Sequence, residues 1–319
     1  MHFSDQKGLN DVIRLFEDHQ MKFLEPLKKR MRKHPSRSLG CTSISRRSVI
    51  KNLTALSLSL ITTDLLGAQR LTDLEGFDPI WRDAEHALNQ FFGPVNFEDS
   101  GINIDLPDFA EVGSSVPLEL YIPCGMTEND YPEVVHFLAH GNPTPHVFSA
   151  WFTPECGRAA LSTRIRLEQS QKITVAAKMA DGRYIRVDKF IEVSLGACAQ
   201  VGTGDNDDVA KFKPDTKVSV ESNVERGKII PVRAMISHPM ETGMRKSLKD
   251  DELIYERFVH YFECKFNEKI FFKMRTYPAI STNPYFKFYL KPTISSSVDF
   301  KWVDSFDLIY RNQVDINII

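Results

Sequence analysis

The chain has 319 residues, 42% of them hydrophobic and 26% charged, with a formal net charge of −2. That length allows two domains of ordinary size, and the composition is that of a soluble globular protein. The near-zero net charge gives no electrostatic basis for a nucleic-acid partner.

In chain order, residues 1–44 carry a helix-like Val12-Ile13-Arg14-Leu15-Phe16 and a basic run, Lys28-Lys29-Arg30-Met31-Arg32-Lys33. Two readings stand: a long basic leader region, or a start placed too early, with Met21 or Met31 as the true first residue. Ser45-Arg46-Arg47-Ser48-Val49-Ile50-Lys51 then precedes an apolar run over 53–66. That run is about 14 residues long, short of the about 20 that a helix needs to span a bilayer. Twin arginines before a short, modestly apolar run match a bacterial twin-arginine export signal, and Gly67-Ala68 supplies small residues for cleavage near Gln69. The expectation is that segment 1–68 directs export to the periplasm and that the mature chain has no membrane span. Cys41 leaves with the signal, so Cys124, Cys156, Cys198 and Cys264 meet an oxidising compartment.

Asp78-Pro79-Ile80 predicts a helix start, with Asp78 as N-cap, Pro79 at the first position and the helix running to about Phe92 before Gly93-Pro94. From Ile102-Asn103-Ile104-Asp105-Leu106 onward the hydrophobic period is two, as in a half-buried strand. Further strands are expected at 116–122, 134–139, 147–153, 161–167, 172–178 and 184–193. Turn chemistry separates them, with Asp181-Gly182 a hairpin signal. About seven short strands after one short helix argue for an immunoglobulin-like β-sandwich over 75–198.

Ser194-Leu195-Gly196-Ala197-Cys198-Ala199-Gln200 leads into a Gly/Asp-rich stretch without apolar anchors, read as a linker over 199–213. Strand patterns resume at 217–224, 228–237, 255–266, 268–274, 285–292, 297–303 and 307–319, with Asn267-Glu268 and Asp304-Ser305 at hairpin-like turns. The fold class expected is therefore all-β: two sandwiches in tandem, the second over 214–319.

Cysteine settings differ. Cys264 alternates with Glu263 and Lys265, so it should point inward as a buried, inert thiol. Cys124 and Cys156 each follow a strand and precede a glycine, which fits either a disulfide between them or two free thiols. Cys198 is the odd one out, in an accessible segment. His136, His140 and His146 invite a metal reading. His136 and His140, four apart on a strand, lie about 13 Å from each other, too far to share an ion; the Gly141–Pro145 turn could bring His146 back towards one of them, but surface or core histidines are the plainer account and no metal is expected. His238 and Glu241 could form an acid–base pair, yet Pro239 between them indicates a turn and no nucleophile is near; loop structure or contact with the Cys198 arm is expected. No glycine-rich phosphate loop, Ser–His–Asp spacing or haem attachment motif is present, so no cofactor is expected.

Two long runs then carry a family resemblance. Pro231-Val232-Arg233-Ala234-Met235-Ile236-Ser237-His238-Pro239-Met240-Glu241-Thr242-Gly243-Met244-Arg245-Lys246, with His260-Tyr261-Phe262-Glu263-Cys264 and the stretch from Tyr277-Pro278-Ala279 to Phe288-Tyr289, resembles the Z subunit of the Sox sulfur carrier of thiosulfate oxidation. Asn142-Pro143-Thr144-Pro145, Leu161-Ser162-Thr163-Arg164-Ile165-Arg166-Leu167 and Ile191-Glu192-Val193-Ser194-Leu195-Gly196-Ala197-Cys198-Ala199 are similar to the Y subunit. The whole resembles a fused Y–Z carrier of the kind associated with quinoprotein alcohol dehydrogenases.

The resemblance implies a non-enzymatic carrier whose two halves pair sandwich on sandwich. Cys198 would hold a sulfur or other thiol-reactive intermediate and present it to sulfur-oxidising or redox enzymes. The alternative is a non-covalent accessory module of a quinoprotein dehydrogenase system. Y subunits end in Gly-Gly-Cys-Gly-Gly. Here the cysteine is flanked by Gly196, Ala197, Ala199 and Gln200, whose added Cβ atoms narrow the backbone's range. It is also no longer near a free C-terminus, so the arm must enter a partner's channel doubled. The roughly 14 residues after Cys198 reach about 20 Å if Gly/Ser-like, so width limits entry more than length.

Overall fold

The computed structural model describes residues 83–99, 101–195, 212–247 and 252–319. The twin-arginine segment, Cys41 and the expected Asp78 cap lie outside these residues. The helix α1, Ala84–Phe92, is capped by Asp83, whose carboxylate accepts the Glu85 N–H at 2.9 Å. Gly93 (φ 71°) ends it in a left-handed turn that glycine alone takes without cost.

Sixteen strands follow among the described residues. In the first half they are β1 Asn103–Asp105, β2 Phe109–Val112, β3 Val116–Ile122, β4 Pro132–Ala139, β5 His146–Phe152, β6 Ala159–Ile165, β7 Gln171–Met179 and β8 Tyr184–Leu195. In the second they are β9 Thr216–Ser219, β10 Asn223–Val224, β11 Ile230–Ile236, β12 Val259–Phe266, β13 Lys269–Thr276, β14 Tyr285–Leu290, β15 Ser296–Asp304 and β16 Ile309–Ile318.

They form two sheets, ordered β1-β3-β6-β14-β11-β9 and β10-β16-β15-β12-β13-β5-β4-β7-β8-β2. Each half supplies three strands to the first sheet and five to the second, in the same sequence of moves. Even the edges correspond: β2 runs parallel to β8 as β10 does to β16. Each half is an immunoglobulin-like sandwich, and the two are topological repeats of one unit.

The sandwiches of the two halves join edge to edge. β5 pairs antiparallel with β13 from Phe152↔Phe272 to Phe148↔Thr276. In the smaller sheet β6 meets β14 at Ser162↔Lys287. Both edges of the seam thereby satisfy backbone groups that would otherwise be exposed. One hydrophobic core runs through both halves. Phe152 and Phe272 touch across the seam, with ring centroids 5.2 Å apart, and Phe272 stacks on Phe288 at 4.2 Å.

Alternation explains most of the burial. In β15 the inward parity is Val298, Phe300, Trp302 and Asp304, the last a carboxylate with no exposure. In β12 the inward residues are Phe262, Cys264 and Phe266. The β12–β13 hairpin turns on Asn267 (φ 49°) and Glu268 (φ 63°), two successive left-handed residues as a tight hairpin requires. A second small cluster lies beneath α1, where Ala84, Ala87 and Leu88 cover Leu138 and Ala176.

Candidate functional site

β8 delivers the chain towards Cys198, and it is anchored to its last residues. It pairs with β7 from Tyr184↔Lys178 to Ile191↔Gln171, and with β2 through Ala110↔Val193 and Val112↔Leu195. Val193 donates its N–H to Ser170 Oγ at 2.9 Å. The adjoining turn needs Gly113: its carbonyl accepts the Leu167 N–H at 2.8 Å, and a Cβ there would stand 2.0 Å from the Leu167 carbonyl oxygen. Gly196, Ala197, Cys198 and Ala199 lie outside the described residues. The chain is described again from Phe212, whose carbonyl accepts from Arg257 Nη1 at 3.1 Å. Asp215 O then accepts the Ser237 N–H at 2.7 Å.

Arg257 belongs to a buried polar network. Its side chain is 1% exposed and Asp304's is fully buried. Arg257 Nε and Nη2 donate to Asp304 Oδ2 at 3.1 Å, and Tyr310 Oη donates to the same oxygen at 3.1 Å. The other carboxylate oxygen accepts the Phe306 and Leu308 N–H groups at 3.0 and 3.1 Å. Burial pushes the Asp304 pKa up, but His238, these two N–H donors and Arg257 prevail and hold it at about 2.

His238 is fully buried. Its Nδ1 accepts the Met240 N–H at 3.1 Å, which places the ring proton on Nε2, 3.6 Å from Asp304 Oδ2. Burial lowers its pKa, against the pull of Asp304. Its backbone N–H is held by Asn283 Oδ1 at 3.0 Å. Glu241 turns elsewhere, to Arg245 Nη2 at 3.0 Å. The histidine and the glutamate are not paired with each other; each pins its own part of the loop.

The first half reaches into this loop through Arg166. Its guanidinium donates to Met240 O, to Pro278 O at 3.3 Å, to Pro239 O at 3.4 Å and to Thr282 Oγ1 at 2.7 Å. The Arg166 carbonyl is in turn held by Asn142 Nδ2 at 2.9 Å, and Asn142 Oδ1 accepts from Glu168 N and Gln171 Nε2. Ser281 Oγ donates to Ser114 O at 3.0 Å, beside the Gly113 turn. The stretches around Asn142, Leu161–Leu167, His238 and Tyr277–Tyr289 therefore meet in one place, where both ends of 196–211 are attached. Sequence reasoning missed Arg166, Arg257, Asp304 and Tyr310. The parity of β15 was the available signal, since it puts an acid on the core face and so demands a buried cation.

Of the described thiols, Cys156 and Cys264 are buried and Cys124 is half-buried. Cys124, Cys156 and Cys264 are free, so no Cys124–Cys156 bridge is formed. The reason is geometric: Cys156 turns into the core and donates to Phe271 O at 3.2 Å, while Cys124 lies against Met126 Sδ at 3.4 Å. The Phe271 carbonyl lies one residue beyond the last β5–β13 rung, and Thr153 Oγ1 and Cys156 replace the missing strand partner. Burial pushes the Cys156 thiol up to about 12, Cys264 well above its ordinary value, and Cys124 upward.

His136 and His146 flank Ser149, with ring nitrogens 2.8 and 2.9 Å from its hydroxyl, and Phe91 stacks on His136 at 4.0 Å. His140 bonds instead to Thr174 at 2.7 Å. Among the described residues no group of three His, Cys, Asp or Glu side chains is placed to hold a metal ion.

Comparison with known proteins places two family models on the chain. Residues 88–198 match SoxY, sulfur oxidation protein SoxY, and residues 218–315 match SoxZ, sulphur oxidation protein SoxZ. No curated protein matches the chain. Among solved structures, the sulfur carrier protein SoxY from Chlorobium limicola f thiosulfatophilum aligns at 21% identity and a TM-score of 0.30, covering 35% of this chain and 96% of that one.

Proposed function

We propose, from the premise that this chain belongs to the SoxY–SoxZ sulfur carriers and joins both domains in one polypeptide, that Cys198 is the residue that carries the cargo. The observation that supports this most is the extent of the SoxY match. It runs to Cys198, and the SoxZ match begins 20 residues later, at 218. The structure holds the chain on both sides of the intervening stretch, through Leu195 on β2 and Phe212 on Arg257.

The chemistry fits a thiol. A thiosulfate-derived cargo would join Cys198 through a new S–S bond, with the thiol proton released and two electrons passed to a partner redox enzyme. An unperturbed thiol has a pKa of about 8.5, so only a few per cent is thiolate at neutral pH. Asp205, Asp207 and Asp208 follow in the sequence and oppose ionisation, so activation falls to the partner enzyme. SoxY and SoxZ are carrier and accessory proteins, and this chain is read likewise as a non-enzyme.

The finer assignments are that the protein is exported to the periplasm by its twin-arginine segment and serves sulfur-oxidising enzymes, a quinoprotein dehydrogenase system among them. Because its arm is tethered at both ends, it should be a poor substrate for enzymes built around a free-tailed carrier. Replacement of Cys198 by serine tests the reading. Sulfur-dependent respiration of the host should be lost while the purified variant melts like the parent; unchanged respiration would favour a non-covalent accessory role.

A further inference from the structure

Of the twelve large apolar side chains left exposed among the described residues, six lie on two neighbouring segments of the second half. Met244, Leu253 and Tyr255 are 48%, 61% and 78% exposed, and Phe306, Leu308 and Ile309 are 41%, 47% and 52% exposed. The first three sit on an irregular ladder. Glu241 bridges to Arg257 and Lys246 to Leu253, and the Ile254 N–H donates to Arg245 O at 2.9 Å. This register sets Met244 opposite Tyr255, while Ile254, of the other parity, turns into the fold at 5% exposure.

Phe306 and Leu308 lie in the β15–β16 turn, and Ile309 opens β16. The Arg257 guanidinium lies 5.0 Å from the centre of the Phe306 ring, and Ser305 N donates to Phe258 O at 2.8 Å, so the turn packs directly against the ladder. Apolar side chains grouped in this way on a soluble protein mark an interaction surface.

The position of the group selects its occupant. Residues 196–211 lie outside the described structure, and the chain is next described at Phe212, whose carbonyl is held by the same Arg257 that carries Phe306. Among the described residues of these two segments the exposed charges are Glu252, Glu256 and Asp307 against Lys246, an acidic excess beside the apolar side chains.

We infer that this surface is the docking face for the enzyme that loads or unloads Cys198, and that the enzyme meets it with an apolar patch rimmed by basic residues. The inference rests on the carrier reading and adds to it the place where the partner sits. A partner held here needs no affinity for the arm itself, and docking raises the local concentration of the cysteine at its active site.

The test uses the full chain expressed in its host. The fraction of Cys198 carrying an adduct is measured by mass spectrometry in the parent, in Leu253→Asp, in Tyr255→Asp and in Ile294→Asp, an exposed site at the opposite end of β15. Leu253→Asp and Tyr255→Asp should lower occupancy at least tenfold, Ile294→Asp should leave it unchanged, and all should react alike with iodoacetamide at Cys198. Equal occupancy in all four, with an adduct present, overturns the docking face and spares the carrier. No adduct in the parent overturns both.

A photocrosslinking residue in place of Tyr255 supplies a readout that does not depend on a destabilising change. It should capture an enzyme that, once purified, loads or unloads Cys198. Capture of a second copy of this chain would overturn the inference.

Discussion

Replacing Asp304 with asparagine keeps the shape of the side chain but removes its charge from a site that water does not reach. One oxygen can still accept the Phe306 and Leu308 N–H groups. What is lost is the anion opposite Arg257, which is 1% exposed. Stranding one member of a buried ion pair costs about 3–5 kcal/mol. In a unit the size of Leu74–Ile319 each kcal/mol shifts the melting temperature by about 2–4 °C, so Asp304→Asn should melt on the order of 10 °C lower. Urea denaturation with an unchanged slope gives the free energy directly. Adding Arg257→Met removes the stranded cation, so the double variant should be less damaged than the sum of the singles by about 1–3 kcal/mol. A cost below about 1 kcal/mol for Asp304→Asn, or strict additivity, would refute the buried-pair account.

Arg166→Leu deprives three carbonyls and Thr282 of a donor across the seam and should cost about 2–3 kcal/mol; Arg166→Lys should recover little, since an ammonium cannot serve the forked set, and full recovery by lysine would contradict this. Acid should weaken the fold. Burial lowers His136 to about 3 and His260 to about 4, from 6.5. Below 6.5 the unfolded chain gains protons that the native state refuses, so stability should fall by about 1.4 kcal/mol per pH unit for His136 alone until about pH 3. Urea midpoints that stay flat from pH 7 to 5 would rule this out. Asp304 is shifted in the same direction but titrates in a lower window: its contribution is complete above 3.8 and is lost as the pH falls from there through about 2. Iodoacetamide at pH 8 should leave Cys156 and Cys264 unlabelled in the native protein and modify Cys124 slowly; a Cys124–Cys156 linked peptide, or labelling of Cys156 as fast as Cys198, would contradict the buried-thiol geometry.

Much of the fold was legible because period-two alternation survives in strands with one face in the core, as in Tyr285–Leu290 and Ser296–Asp304. The Asn267-Glu268 turn was legible for the same local reason. Phe109–Val112 was not: it is four residues long and stands as a strand only because β8 offers it a parallel partner. Asn223–Val224 likewise exists through β16. The edge-to-edge seam was hidden too, because Phe148–Phe152 and Phe272–Thr276 pair across more than a hundred residues of chain and each reads as an ordinary buried strand. The polar network escaped notice because Asp304 looked like a turn residue, whereas its parity with Phe300 and Trp302 sends it inward. Cys198 itself rests on a motif and on the two ends of chain that bracket it.

Mass spectrometry of the protein isolated from cells oxidising reduced sulfur tests the central claim most directly. The account predicts a sulfur-containing adduct on the Cys198 peptide that a reducing agent removes, with Cys124, Cys156 and Cys264 unmodified in the same sample. A Cys198 peptide that stays unmodified throughout sulfur oxidation would contradict it.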